Sequence, residues 1–419
     1  MEIKRGYKQT EVGVIPEDWG TELLEKCLLC PPMYGINAPA VPYSDRLPLY
    51  IRITDITESG QFSSKDKVSV RSDYSENYYL NEGDLVFART GASVGKSYLY
   101  NPKDGKLVFA GFLIRIRPNP EILMPSFLAA YIQTENYRRW VRVMSMRSGQ
   151  PGINGNEYGL LMLPLPPLPE QRAIAAALSD VDGLLEGLER LIAKKRDLKQ
   201  ATMQQLLTAQ TRLLGFSDMW ENKRIGEFTD CTAGGTPSTK VASYWGGPIP
   251  WMSSGDLNMK RVYAVDGRIT ESGLVNSSSK LIPKHCVLIG LAGQGKTRGT
   301  VAMNFVELCT NQSIAAIFPN QSFISDYLYH NLDARYEELR DLSAGDGGRG
   351  GLNLKTIKSI QIPLPSLAEQ TAIAAVLSDM DAELAALEQR RDKTRALKQA
   401  MMQELLTGKT RLIRPPSTK

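Results

Sequence analysis

The residues with the clearest capacity for chemistry form one short run, Gly290-Leu291-Ala292-Gly293-Gln294-Gly295-Lys296-Thr297. It matches the G-x-x-x-x-G-K-[ST] pattern, whose backbone amides and lysine cradle nucleotide phosphates, and it follows the apolar Cys286-Val287-Leu288-Ile289. Phosphate binding of that kind needs a helix to begin at the lysine, so that its free N–H groups and its dipole face the anion. Here Arg298-Gly299-Thr300-Val301 follows, and glycine with β-branched residues predicts a second strand. The related stretch Arg89-Thr90-Gly91-Ala92-Ser93-Val94-Gly95-Lys96-Ser97 is one residue short of the pattern and runs into the strand-like Tyr98-Leu99-Tyr100. A strand-turn-strand corner presenting lysine and arginine outward is expected in both places, with a nucleotide-binding P-loop as the competing reading.

Other catalytic groupings are thin. The two histidines, His285 and His330, have no counterparts in the first half of the chain, so a histidine triad or metal site repeated in both halves is excluded. No G-x-S-x-G run and no Asn/Asp-Pro-Pro-Phe/Tyr methyltransferase tetrapeptide occurs. The five cysteines lack framework spacing, and Cys27-Leu28-Leu29-Cys30 is a lone pair in what reads as an apolar helix-like run. No catalytic residue and no metal ligand is expected. What remains is a set of basic and amide side chains in turns rich in Ser, Asn and Gly, which suits contacts to phosphates and base edges. They are Arg46, Lys65, Arg89, Lys96, Arg142, Arg147 and Gln150 in the first half, and Lys240, Lys260, Gln294, Lys296, Arg298 and Arg349 in the second.

The elements that must position these side chains are duplicated. Residues 163–213 and 362–412 align without a gap at a fixed offset of 199 (369 − 170), with 31 of 51 positions identical. In the second copy Ser366-Leu367-Ala368-Glu369 has the form of a capping box, and in the first Pro167 and Pro169 suit a first helical turn. Apolar residues then recur at spacings of four and three, namely Ile174, Leu178, Val181, Leu185, Leu188 and Ile192, answered by Ile373, Leu377, Met380, Leu384 and Leu387. This is a coiled-coil seam. It drifts onto Leu198, Met203 and Leu206, and onto Leu397, Met402 and Leu405, with Gly408 as a C-terminal stop. About forty residues at a rise of about 1.5 Å predict a rod of roughly 60 Å. Two such helices in one chain pack most simply as an antiparallel pair, each burying the other's stripe.

The segment before each helix diverges while keeping a skeleton. Tyr50-Ile51-Arg52-Ile53-Thr54-Asp55-Ile56 answers Trp251-Met252-Ser253-Ser254-Gly255-Asp256-Leu257, strand into turn, and Ser126–Tyr131 answers Ser325–Tyr329, both helical in pattern. The expected fold class is α+β: two mixed α/β domains, residues 1–160 and 214–360, each followed by a long helix, residues 161–213 and 361–419. The two helices would pair as an antiparallel coiled coil with pseudo-two-fold symmetry. A formal charge of +5 and a pI near 8.8 permit a polyanion partner without demanding one. The N-terminus lacks the apolar core of a signal peptide and no apolar run is long enough to span a membrane, so a cytoplasmic protein is expected.

A nearly identical EQ…AIAA…LSD.D…KQ..M..LLT..TRL helix after each of two divergent segments resembles the specificity subunit of type I restriction-modification enzymes. The likeness spans the chain and is most specific at the paired Pro-Leu-Pro…Glu-Gln-x-x-Ile helix starts and, in the second copy, at Gly234-Gly235-Thr236-Pro237-Ser238 and Tyr244-Trp245-Gly246-Gly247. In the first copy Tyr34-Gly35 and Leu47-Pro48-Leu49-Tyr50 stand in their place. The resemblance implies a non-catalytic reader of double-stranded DNA, each divergent segment being a target recognition domain for one half of a split, asymmetric site. It also implies that the repeated helices are the spacer and the dock for two modification (methyltransferase) subunits, with Glu170, Gln171, Ile174, Leu178, Leu185, Leu188, Glu369, Gln370, Ile373, Leu377, Leu384 and Leu387 on those helices. S-adenosylmethionine, ATP and Mg would then sit on partner subunits, restriction (translocase) subunits among them, and none on this chain. A coiled-coil adaptor without DNA binding is the second competitor. Neither it nor a P-loop protein accounts for helices kept alike beneath segments that differ.

Overall fold

The computed structural model describes residues 5–63, 65–146, 150–292, 297–342 and 352–413. Helix and strand assignments follow the residue patterns at the two helix starts, Leu168 and Leu367, and the long helices run Leu168–Leu207 and Leu367–Leu405. The chain divides into two compact units, Met1–Gly187 with Arg390–Lys419, and Leu188–Gln389. Each long helix crosses that division. One unit therefore holds the beginning of one helix and the end of the other.

In the first unit the strands Leu28–Tyr34, Leu113–Pro118, Leu85–Ala88 and Ser97–Leu99 lie side by side in that order. A second sheet orders Leu107–Phe109, Leu49–Ile51, Val68–Val70 and Ala40–Pro42. Strand Leu85–Ala88 is buried along its length, as an unbroken apolar run predicts for a strand covered on both faces. Its Phe87 and Leu85 share a core with Trp19, Phe127 and Tyr158, with Ile174 and Leu178 from the first long helix, and with Met402 and Leu405 from the second.

The second unit repeats the scheme. Strands Cys231–Ala233, Ile314–Ile317, Val287–Gly290 and Val301–Asn304 follow the same order, extended by the edge strand Arg261–Val262. The core joins Val287, Ile289 and Tyr327 to Met203 and Leu206 of the first long helix and to Ile373 and Leu377 of the second. The short helices Pro125–Tyr131 and Ser325–Asp333 stand where the helical patterns place them.

Three sequence expectations are corrected. Ser366 Oγ does accept from the Glu369 amide at 3.4 Å, but the Glu369 carboxylate does not reach back to complete a capping box, because Arg212 and Trp220 engage it. Leu198 and Leu397 leave the seam and stand 50% and 56% exposed. At about 100° per residue, Leu198 lies about 120° away from the direction of Ile192, whereas Met203 returns to within about 20° of it. Cys27 ends a 3-10 turn, Leu24–Cys27, and Cys30 sits in the strand Leu28–Tyr34, so the pair is not helical. Ile174 and Leu178, and Ile373 and Leu377, are buried in the cores of the two units, Leu188 and Ile192 are buried as well, and Leu185, Leu384 and Leu387 are half-buried.

Candidate nucleic-acid interface

The corner that follows strand Leu85–Ala88 gathers three of the candidate side chains. Ala88 N–H donates to the Lys96 carbonyl at 2.8 Å and Gly95 N–H to the Ala88 carbonyl at 3.0 Å, closing a hairpin with Gly95 at φ +85°. Gly91 N–H donates to the Pro151 carbonyl and Ile153 N–H to the Arg89 carbonyl, which lays the loop carrying Gln150 against the hairpin. The Arg89 guanidinium lies 4.8 Å over the Tyr34 ring, and Lys96 Nζ is 2.5 Å from Glu58 Oε1. Stacking on an aromatic face orients a guanidinium while leaving its edge for in-plane hydrogen bonding. Arg89, Lys96 and Gln150 thus share one surface built on a buried strand.

The matching corner of the second unit disposes of the P-loop reading. Gly290 N–H donates to the Thr300 carbonyl at 3.0 Å and Gly299 N–H to the Gly290 carbonyl at 2.9 Å, and Leu288 pairs with Ala302 across antiparallel strands. Among the described residues a strand, not a helix, follows Thr297, so the helix N-terminus that a P-loop needs is not found in them. These bonds equate Gly95 with Gly299 and Lys96 with Thr300. The apparent Gly-Lys correspondence between Gly95-Lys96 and Gly295-Lys296 is therefore a coincidence of spelling, since ten positions separate Gly290 from Thr300 and eight separate Ala88 from Lys96. Arg298 is half-buried in this turn. Gln294 and Lys296 lie outside the described residues, as do Arg147 and Arg349.

The remaining candidates are dispersed. Arg46 and Lys65 are exposed in turns bordering the second sheet of the first unit, where Ser44 N–H donates to Ser69 Oγ at 3.1 Å. Lys240 is exposed on a turn of the second unit. Arg142 pairs with Glu135 at 2.5 Å on an exposed helix, and Lys260 with Asp333 at 2.7 Å.

The helix starts do structural work that sequence reasoning missed. Glu170 is buried and accepts from Trp19 Nε1 at 2.9 Å and from the Arg411 guanidinium at 2.5 and 2.7 Å, while Arg411 also holds Asp18 at 2.8 and 2.9 Å. The guanidinium beside it holds the Asp18 carboxyl below the usual carboxylate range. In the second unit Glu369 accepts from Trp220 Nε1 at 3.0 Å and from Arg212 at 2.6 and 2.7 Å. The next residue is used as consistently. Gln171 Oε1 accepts from Met124 N–H and its Nε2 donates to the Pro166 and Ile122 carbonyls, and Gln370 makes the same contacts with Ile324 N–H and the Pro365 carbonyl. Buried at 2% or less, Glu170, Gln171, Glu369 and Gln370 fasten each helix to its own globule and are not available to dock a partner. A signal was present in the sequence: Glu170, Gln171 and Arg212 all recur at the 199 offset.

His330 is buried, with Nε2 3.1 Å from Ser378 Oγ and 3.4 Å from Arg261 Nη2. Burial, then the nearby Arg261 and Lys199 charges, push its pKa down to about 3, so it stands neutral as part of the core. Among the described residues no group of three His, Cys, Asp or Glu side chains is placed to hold a metal ion, and no helix is long and apolar enough to cross a membrane.

The model of the type I restriction modification DNA specificity domain matches twice, over residues 49–194 and 217–395, once in each half of the chain. The chain belongs to that family. This specificity subunit is 25% identical to the putative type I restriction enzyme MjaX specificity subunit of Methanocaldococcus jannaschii, over 98% of this chain and 97% of that one. It is 37% identical to the MjaIX specificity subunit of the same organism over 39% of its length and 38% of the relative's, and 26% identical to the Escherichia coli EcoR124I/EcoR124II specificity subunit over 60% of each chain. Its fold resembles that of the type I restriction-modification S subunit from M. genitalium, with a TM-score of 0.63 at 15% identity, covering 97% of this chain and 98% of that one. A chain from a study of complex assembly and conformational transition of the type I R-M system gives 0.54 at 20% identity, covering 94% and 99%.

Proposed function

We propose that this subunit gives a type I restriction-modification enzyme its sequence specificity by reading a bipartite, asymmetric DNA duplex, one half-site with residues 1–160 and the other with residues 214–360. The observation that carries this reading is the doubled family match laid over two halves whose side chains differ. Arg46, Lys65, Arg89, Lys96 and Gln150 serve the first half-site, and Lys240 and Arg298 the second, with Arg147, Gln294, Lys296 and Arg349 as further contacts. Lysines and arginines of this kind supply salt-dependent attraction to phosphates, and the amides and arginines read base edges. The chain itself performs no chemistry.

The long helices act in this proposal as an antiparallel coiled coil with pseudo-two-fold symmetry that sets the spacing between half-sites. Repeat-related ion pairs support it: Lys398 to Asp182 at 2.6 Å in the first unit, and Lys199 to Asp381 at 2.5 Å in the second, each residue displaced by 199. The outward faces, including the exposed Leu198 and Leu397, would dock two modification subunits, which carry S-adenosylmethionine, and restriction subunits would bring ATP and Mg. The complex would act in the cytoplasm. The test is methylome sequencing of cells with and without the chain, followed by deletion of four residues within one repeated helix. The expected result is an unchanged pair of half-site words at an altered spacing. Altered words at an unaltered spacing would overturn the reading.

A further inference from the structure

Four backbone hydrogen bonds recur in the two units and put their divergent loops in one frame. Gly35 N–H donates to the Leu113 carbonyl as Gly234 N–H does to Ile314, and Ile36 N–H donates to Phe109 as Gly235 N–H does to Thr310. Arg89 N–H donates to the Phe112 carbonyl as Leu291 N–H does to Ser313, and Ile153 N–H to Arg89 as Leu352 N–H does to Leu291. Gly35 and Gly234 are required by this frame, because a Cβ at either would collide with a backbone carbonyl oxygen, that of Ala110 or of Thr310.

On that common scaffold the side chains differ in kind. The first unit presents Phe112, 61% exposed at the tip of the turn between strands Leu107–Phe109 and Leu113–Pro118, beside Arg89 on its Tyr34 platform. With Tyr34, itself 41% exposed, Phe112 adds apolar surface next to the Arg89 guanidinium, so one turn offers both an apolar face and a donor. In the second unit Ser313 takes the place of Phe112, and the residue before it in the same turn, the exposed Gln312, accepts at Oε1 from Thr236 Oγ1 at 2.6 Å. That bond fixes the amide plane, yet the oxygen keeps a second lone pair and the nitrogen both its hydrogens. Phenylalanine packs against a thymine methyl and arginine pairs with guanine, whereas an oriented glutamine is the bidentate partner of adenine.

Resting on the assignment of the chain as a two-word reader, we propose that this turn is the specificity-determining position of each unit. Phe112 with Arg89 reads a thymine-containing or guanine-containing step in one half-site, and Gln312 oriented by Thr236 reads an adenine in the other.

The test uses the full chain in complex with its methylating partner and reads the modified sequences genome-wide for wild type, Phe112→Ala, Phe112→Tyr and Gln312→Ala. The expected result is that Phe112→Ala lowers discrimination roughly tenfold at one position of a single half-site, that Phe112→Tyr retains it, and that Gln312→Ala does the same at an adenine of the other half. The proposal is overturned if both half-sites keep their words in Phe112→Ala and Gln312→Ala, if both variants relax the same half, or if either weakens every position equally. A wild-type complex with no bipartite sequence preference would instead overturn the reader assignment on which this rests.

Discussion

Removing Arg411 should destabilise the first unit more than removing Arg212 destabilises the second. The two arginines occupy the same place in the repeat and engage the same glutamate, yet their surroundings differ. Arg411 is bidentate to Glu170 and to Asp18, with its side chain 18% exposed, and Glu170 is 2% exposed beside a fully buried Trp19. Arg411→Ala leaves a buried carboxylate with the Trp19 indole bond and frees Asp18. Breaking a buried pair costs about 3–5 kcal/mol, and partial access of water to the guanidinium lowers this to roughly 3 kcal/mol. Arg212 is bidentate to Glu369 alone, its side chain is 26% exposed and Trp220 is only half-buried, so a smaller loss is expected. Urea unfolding followed by tryptophan fluorescence measures both, and a double-mutant cycle of Arg411→Ala with Glu170→Gln isolates the coupling. Equal losses, or losses under about 0.5 kcal/mol for both, the scale of an ordinary surface pair, would refute the reasoning.

Four further outcomes are expected. His330 has a folded pKa of about 3 against 6.5 ordinarily, so between those values the unfolded chain binds the proton and the folded chain does not. Stability must then fall as pH falls through that window, by up to about 1.4 kcal/mol per pH unit, and His330→Gln should flatten the difference in urea midpoint between pH 7 and pH 5. Gly35→Ala and Gly234→Ala should each cost more than about 2 kcal/mol in thermal or urea unfolding, because backbone must shift. Gly183→Ala, on a helix face open to solvent, should stabilise by about 0.5–1 kcal/mol in the same assay. The chain should show no saturable ATP binding by calorimetry, in the wild type or in Lys296→Ala, since a hairpin follows the pattern match.

The candidate surface was legible in the sequence only as a list of basic and amide residues in turns. Arg89 and Gln150 are 61 positions apart (150 − 89), and nothing local says that they meet. Phe112 carried no sequence signal at all, because a phenylalanine between strand-like runs reads as core, and only the register of its turn turns it outward. The Gly-Lys repetition misled for the opposite reason. Spelling aligned Lys96 with Lys296, whereas hydrogen bonding aligns Lys96 with Thr300.

Duplication, helix limits and the mixed character of the globules are properties of composition and spacing, so the sequence alone determined them. Apolar periodicity, proline, serine and glycine act within a few residues of themselves, and their consequences can be read where they stand. Which half of each helix serves which unit could not be read that way, nor could the choice of Arg411 for Glu170 and Arg212 for Glu369. A pair separated by 241 positions (411 − 170) is chosen by burial and by the geometry of charge pairing, which only the packed chain supplies. The same holds for the four bonds that frame the divergent turns. They set Phe112 level with Ser313 and put Gln312 one residue before it in the same turn, a correspondence that no local pattern announces.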